Sequence, residues 1–251
     1  MDRQERVFGI PEIDRDLGTA LPSGWVTLLV TTTGSGSQLF AKQFANAGVG
    51  STPVFYYTTY ERTVEVERIF RDMGWDPGAI KILNLSEEYY DRVLSQRLEV
   101  SRVRERGIRL SDLKLDPNLT VDHHAFNLSS RILGDLASID APFRLTLDSL
   151  DFLLEILEPP EVIDVARQIC YRAQMLGGQV LLLIHSNTHT QRTVGLLEDM
   201  VDMVVELRTQ PRGRTIHHAL SVLKLRNHPD RLREVPLSLG DHGFTALTEN
   251  G

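Results

Sequence analysis

The sequence predicts an α/β fold, a three-layer α/β/α sandwich around a mainly parallel central sheet, and three observations carry that expectation. Apolar runs of strand length alternate with amphipathic stretches of helix length, the pattern of βαβ units. One of these runs, Trp25–Val30, leads through a glycine-containing turn directly into a helical pattern. The 251 residues are 41% hydrophobic and 24% charged, enough for one large domain, and no repeat, low-complexity tract or linker divides them. Residues 1–251 are therefore read as a single domain.

Taken in order, Pro11–Leu17 reads as a short helix and Trp25–Thr32 as the first strand, apolar enough for burial on both faces. Gln38–Ala47 follows as a helix, with Leu39, Phe40, Phe44 and Ala47 apolar. Strands are expected at Pro53–Thr58, Ile80–Asn84, Phe143–Asp148 and Gln179–His185. Helices are expected at Val64–Met73, Ala125–Ser138, Ser149–Leu157, Glu161–Leu176 and Gly195–Met200. Val201–Arg208, His217–Arg226 and Gly243–Thr248 form a more antiparallel end to the sheet. Residues 86–121 interrupt the alternation, with Arg92, Arg97, Arg102, Arg104, Arg106 and Arg109 set among Glu87, Glu88, Asp91, Glu99 and Glu105. This charged segment is either a solvated helical insertion laced by i,i+4 ion pairs or a docking arm for a partner or nucleic acid.

Composition narrows the class. The net charge of −7 disfavours nucleic acid as a partner. The lone cysteine, Cys170, sits in an apolar stretch as a small core residue and allows no disulfide within the chain. The start MDRQERVFG is too polar for a signal peptide and no apolar run reaches membrane-span length, so the cytoplasm is the expected compartment. His123-His124 and His217-His218 are adjacent pairs without helical ligand spacing, which argues against a structural zinc site. Nothing resembles a G-x-S-x-G nucleophile elbow.

Residues 31–38 stand where a phosphate-binding loop belongs, between a strand and a helix. Laid on G-x-x-x-x-G-K-[ST], the segment keeps Gly36 but has Thr31 for the first glycine, Ser37 for the lysine and Gln38 for the hydroxyl residue. In a working loop the lysine neutralises the β/γ-phosphates and the hydroxyl holds Mg²⁺. One positive charge and one metal ligand are thus missing from the same place. Gly34 and Gly36 can still supply the positive-φ backbone of an amide nest, which holds an anion at a helix N-terminus without a lysine. The alternative is a turn closed on itself that binds nothing. Only four of the 27 basic residues are lysines, so few could substitute. Lys42 lies five residues past Ser37, and a rise of about 1.5 Å per residue places its ammonium well behind the loop.

The order of several short motifs resembles the KaiC-like branch of the RecA-type P-loop ATPases over nearly the whole length. Phe8-Gly9-Ile10-Pro11-Glu12-Ile13-Asp14 resembles the family's entry motif and Leu21-Pro22-Ser23-Gly24 its G-L-P-x-G. Tyr60-Glu61 with Met73-Gly74-Trp75-Asp76 is similar to E-E-x-P … G-W-D. Phe143 to Leu150 is similar to a Walker B strand ending in D-S-L. Gly195 to Leu207 resembles x-x-E-x-x-A-D-G-V-I-x-L, and Val222 to His228 resembles V-x-K-x-R-G-S-x-H. The chain departs from the pattern at the P-loop and at the acidic pair, whose first Glu falls on Tyr60.

The resemblance implies a RecA-like fold and a nucleotide site formed by Thr33, Gly34, Ser35, Gly36, Ser37, Gln38, Asp148, His185, Lys224 and Arg226. Glu61 would be the general base, and Asp148 and Gln38 would approach Mg²⁺. Asp148 could instead cap the helix that follows it, and Asp151 reads as a first-turn helix carboxylate. His185 ends the fifth strand, where the family senses the γ-phosphate; pairing with a neighbouring loop is the other reading. Lys224 and Arg226 alternate by two and share one strand face. They would reach the phosphates of an adjacent subunit, or simply face solvent. The degenerate loop makes ATP and Mg²⁺ binding weak or absent. The expectation is a catalytically weak or inactive nucleotide-binding regulator or scaffold, most like single-domain archaeal members. It would act through a homo-oligomer, a related KaiC-like subunit or an unidentified protein partner. The competing expectations are a slow ATPase using Lys224 or Arg226 in trans with Glu61 as base, and an accessory factor binding DNA through 86–121. The net charge and the lack of an aromatic stacking series weigh against the latter.

Overall fold

β1 (Trp25–Thr31) is buried along its whole length because it runs through the middle of the sheet with helices on both faces. The computed structural model describes residues 7–93, 128–212 and 215–247. After β1 come α2 (Ser37–Ala47), β2 (Val54–Thr58), α3 (Thr63–Asp72), β3 (Ile80–Asn84) and a helix over 85–93, α4. The chain continues with α5 (Leu128–Ala137), β4 (Arg144–Asp148), α6 (Leu150–Ile156), α7 (Pro159–Leu176), β5 (Gln179–His185) and α8 (Gln191–Met200). It closes with β6 (Met203–Arg212), β7 (Thr215–Leu225), β8 (Arg233–Gly240) and β9 (Gly243–Ala246); α1 (Pro11–Leu17) precedes them all.

Among the described residues, nine strands lie in the order β3-β2-β4-β5-β1-β6-β7-β8-β9. From β3 to β6 all pairs are parallel, and from β6 to β9 all are antiparallel. Alternation along β1 divides two cores. Val26, Leu28 and Val30 face α5 to α8, packing with Ile132, Leu153, Val165 and Leu197. Trp25 and Leu29 face α1 to α3, packing with Ile13, Phe40, Phe44 and Phe70. This is the expected sandwich.

Several motifs acquire a physical reason. Asp14 accepts from Phe8 N at 2.6 Å and Gly9 N at 3.0 Å, so its carboxylate ties the entry segment onto α1. A Cβ on Gly24 would lie 2.2 Å from Ala173 O, so only glycine lets the chain pass α7 into β1. Asp202 accepts from Val26 N at 3.0 Å and pairs with Arg226 Nε at 3.1 Å, joining the start of β1 to the end of β7.

The structure also corrects the sequence reading. β8 was not expected, because Arg233, Glu234 and Pro236 mask its alternation; it is paired with β7 on one side and β9 on the other. α8 begins four residues earlier than Gly195, where Thr190 accepts from Thr193 N at 3.3 Å as its N-cap. Of the charged segment 86–121, only residues up to 93 are described, as part of α4; the rest lies outside the described residues. Among the described residues no helix is long and apolar enough to cross a membrane.

Candidate nucleotide site

Parallel register gathers the site. Thr31 pairs with His185 and Thr58 with Asp148, so these strand ends stand at one edge of the sheet. In open α/β sheets that edge is where ligands bind.

The β1–α2 loop is held in shape by its own chain. Gly34 and Gly36 have φ of +80° and +81°, a conformation that a Cβ disfavours. A Cβ on Gly36 would in addition lie 2.9 Å from Phe244 Cζ. The Thr31 and Ser35 hydroxyls hydrogen-bond to each other, and Ser35 N donates to Thr32 O at 3.1 Å. From β7, His218 Nδ1 donates to Ser35 O at 3.0 Å while its ring meets Phe244 edge-on at 5.2 Å. Sequence reasoning missed this buttress, which rests on a contact 183 residues apart. Among the described residues, none accepts a hydrogen bond from the amides of Gly34, Gly36, Ser37 or Gln38. Thr33 and Gln38 are exposed and Ser37 is buried.

Lys42 is the main departure from expectation. Helical side chains lean toward the N-terminus and cover the preceding turn. Its ammonium therefore reaches back to Gln38 O at 3.4 Å and is not left well behind the loop. It forms an ion pair with Glu61 Oε2 and lies 5.4 Å from the Tyr56 ring centroid. The residue is completely buried. The carboxylate that the resemblance makes a general base is thus held by an internal lysine. Tyr60, which replaces the other member of the acidic pair, is half exposed and donates to Glu155 Oε1 at 3.2 Å.

Asp148 lies at the end of β4, buried, with Oδ2 accepting from Tyr56 OH at 2.6 Å. Burial pushes its carboxyl above the usual range, against the opposing pull of the Lys42 charge and the Tyr56 hydroxyl. The same burial, with the charges of Asp148 and Glu61, pushes the Tyr56 phenol well up, so it remains a donor. The helix-capping alternative for Asp148 is not what the structure shows. Ser149 is the N-cap of α6, without a side-chain cap bond, and the Asp148 carboxylate turns to Tyr56.

Asp151 proves to be a hub, more than a first-turn carboxylate. It accepts from His185 N at 3.1 Å, pairs with His185 Nδ1 and His189 Nε2 at 2.8 Å each, and accepts from Thr188 Oγ1 at 3.2 Å. Burial raises its carboxyl, but the interactions with Ser149, His185 and His189 outweigh that and hold it below the usual range. The other reading of His185 expected a partner in a neighbouring loop; the structure gives it Asp151, on α6. The D-S-L-D run and the H-x-x-x-H spacing were the available signals.

Lys224 and Arg226 sit away from the loop. Lys224 Nζ donates to Glu198 O at 2.5 Å and Asp199 O at 3.0 Å. Arg226 donates to Met200 O at 2.9 Å and Val201 O at 3.1 Å. Both cap the carbonyl end of α8, where cations are favoured. Burial, then the neighbouring Arg226 charge, lowers the Lys224 ammonium from its ordinary value. Arg226 is exposed and Lys224 partly so, but both side chains are engaged in these bonds. Among the described residues no group of three or more His, Cys, Asp or Glu is arranged to hold a metal.

A parallel sheet that presents an amide nest at the end of one strand and a buried aspartate at the end of another defines a RecA-type P-loop domain. The family model described as "ATPase: KaiC" matches residues 7–250, and the chain belongs to that family. It is 24% identical over 261 residues to the circadian clock oscillator protein KaiC of Prochlorococcus marinus (strain MIT 9313), covering 98% of this chain and 46% of the relative. It is also 24% identical over 232 residues to KaiC of Synechococcus elongatus, covering 89% of this chain and 40% of that protein. The chain therefore spans less than half the length of these curated relatives. A KaiC-like protein of the archaeon Pyrococcus horikoshii OT3 superposes with a TM-score of 0.63 at 19% identity, covering 97% of this chain and 99% of the other. That likeness shows the fold.

Proposed function

We propose that this domain binds a nucleotide at the β1–α2 loop, turns it over slowly or not at all, and serves as a regulator or scaffold through another subunit or partner. One observation carries the reading: Glu61, the carboxylate in the general-base position, is paired with the buried Lys42. The Glu61 Oε2 is occupied by that ammonium and is not open to an attacking water. The Ser37 and Gln38 replacements add to this, since each lost group at a transferring phosphoryl typically contributes a few kcal/mol. A loss of about 3–4 kcal/mol corresponds to several hundred-fold in rate. The open amides of Gly34, Gly36, Ser37 and Gln38 support retained phosphate binding.

The slow-ATPase reading needs Lys224 or Arg226 at a neighbour's phosphates. Both would first have to leave the α8 carbonyls, which argues against it. Calorimetric titration with ATP, run beside steady-state turnover and sedimentation, tests the proposal. Binding with turnover at background is expected. Turnover of about 0.1 s⁻¹ or faster, abolished by Asp148→Asn, would overturn it.

A further inference from the structure

We infer that His218, on β7, is a positioning residue that turns the Gly36 amide toward the ligand, so that the phosphate site depends on the antiparallel end of the sheet. The inference rests on the nucleotide-binding reading above. The peptide between Ser35 and Gly36 is trans and planar, so its C=O and its N–H point in opposite directions as one rigid unit. His218 Nδ1 donates to Ser35 O at 3.0 Å and pins that unit from the carbonyl side. A carbonyl only accepts, so Nδ1 carries the hydrogen. The Gly36 N–H is thereby directed away from the imidazole, and among the described residues nothing accepts it. An amide fixed in this way at the start of α2, with its hydrogen free, is a donor for a bound anion.

The peptide needs such a tether. Turning it over changes ψ of Ser35 and φ of Gly36, and glycine offers little resistance to that rotation. The bond from Ser35 N to Thr32 O holds the preceding peptide, and the Thr31–Ser35 hydroxyl contact holds a side chain. Neither acts on the unit that carries the Gly36 amide. The ring wall beside it is fixed in place: Phe244 N donates to Gln43 Oε1 at 2.7 Å and Phe244 O accepts from Gln43 Nε2 at 2.9 Å, which straps β9 onto α2. A Cβ on Gly36 would lie 2.9 Å from Phe244 Cζ and 3.9 Å from His218 Cε1, so both rings stand against the loop. Apolar packing of this kind is non-directional. The His218 hydrogen bond supplies the direction.

The test is calorimetric titration of the full chain with ATP, beside thermal unfolding, for wild type, His218→Phe and His218→Asn. His218→Phe keeps a ring against Phe244 and lacks the donor. His218→Asn gives up the ring but places an amide N–H close to where Nδ1 stands. His218→Phe should lose about tenfold or more in ATP affinity, and His218→Asn should stay within about threefold of wild type. That order is expected even though His218→Asn, with less packing, melts at the lower temperature. If His218→Asn binds no better than His218→Phe, affinity follows packing and the inference is overturned. Wild-type affinity in His218→Phe overturns it as well, and either result leaves the nucleotide-binding reading standing. No binding by wild type overturns both. Should His218→Phe fail to fold, His218→Gln takes its place. Its amide lies one methylene farther out, so it should bind about tenfold more weakly than His218→Asn, and equal affinities would overturn the role given to His218.

Discussion

Whether Lys42 and Glu61 form a buried pair can be decided by stability alone, without nucleotide. Lys42 has no exposed side-chain surface and Glu61 keeps 19% of its own. Removing one partner of such a pair costs about 3–5 kcal/mol, because the other charge is left buried and uncompensated. Lys42→Met should fall at the lower end, since Glu61 retains some contact with water. Glu61→Gln should fall at the upper end, since it strands an ammonium with no solvent access. In a chain of this size each kcal/mol moves the melting temperature by roughly 2–4 °C, so the single variants should melt about 6–20 °C below wild type. The double variant Lys42→Met/Glu61→Gln removes both charges and keeps similar volumes. It should return to within about 1 kcal/mol of wild type. Thermal unfolding by circular dichroism and calorimetry, with urea titration as a second route, closes the cycle. Two near-neutral single variants, or a double variant as destabilised as their sum, would refute the pair.

The other predictions address the loop, the Asp148 carboxyl and the α8 cap. Ser37→Lys with Gln38→Thr restores a charge and a hydroxyl at the nest, and ATP affinity measured by calorimetry should rise tenfold or more, about 1.4 kcal/mol; no gain in a folded variant would mean that the nest does not receive phosphate. Asp148 has a folded-state pKa raised above its ordinary 3.8 by burial, so its contribution to stability is present below that value and lost as pH rises through the folded value. Asp148→Asn should therefore melt higher than wild type at pH about 7, with the gain vanishing as pH falls toward 3.8; an equal shift at both pH values would count against burial as the cause. Lys224→Ala and Arg226→Ala should each cost about 1 kcal/mol through lost helix capping, and should leave ATP affinity and sedimentation unchanged. Lost ATP-dependent association at unchanged stability would instead place them at a subunit boundary.

The sequence by itself determined what is local. The strand–turn–helix around Thr31–Gln38, the aspartate closing β4 and the alternation of strand and helix all follow from side-chain period and turn chemistry, which act within a few residues. The missing lysine and hydroxyl were legible for the same reason: a motif is a local pattern, and Ser37 and Gln38 occupy its last two places. Only the tertiary structure decided how the remaining charges settle. Lys42 meets Glu61 across 19 residues, Tyr56 meets Asp148 across 92, and Asp151 gathers His185 and His189 from more than 30 residues away. Each pairing depends on the parallel register that lays β2 beside β4 and β5 beside β1, which no local period specifies. The direction in which the Lys42 side chain leans, back toward the loop and into a water-free interior, turned a lysine discounted on backbone rise into a partner of Glu61 beside the loop. In that interior a charge must find a partner or stay neutral, and the choice of partner is made by packing.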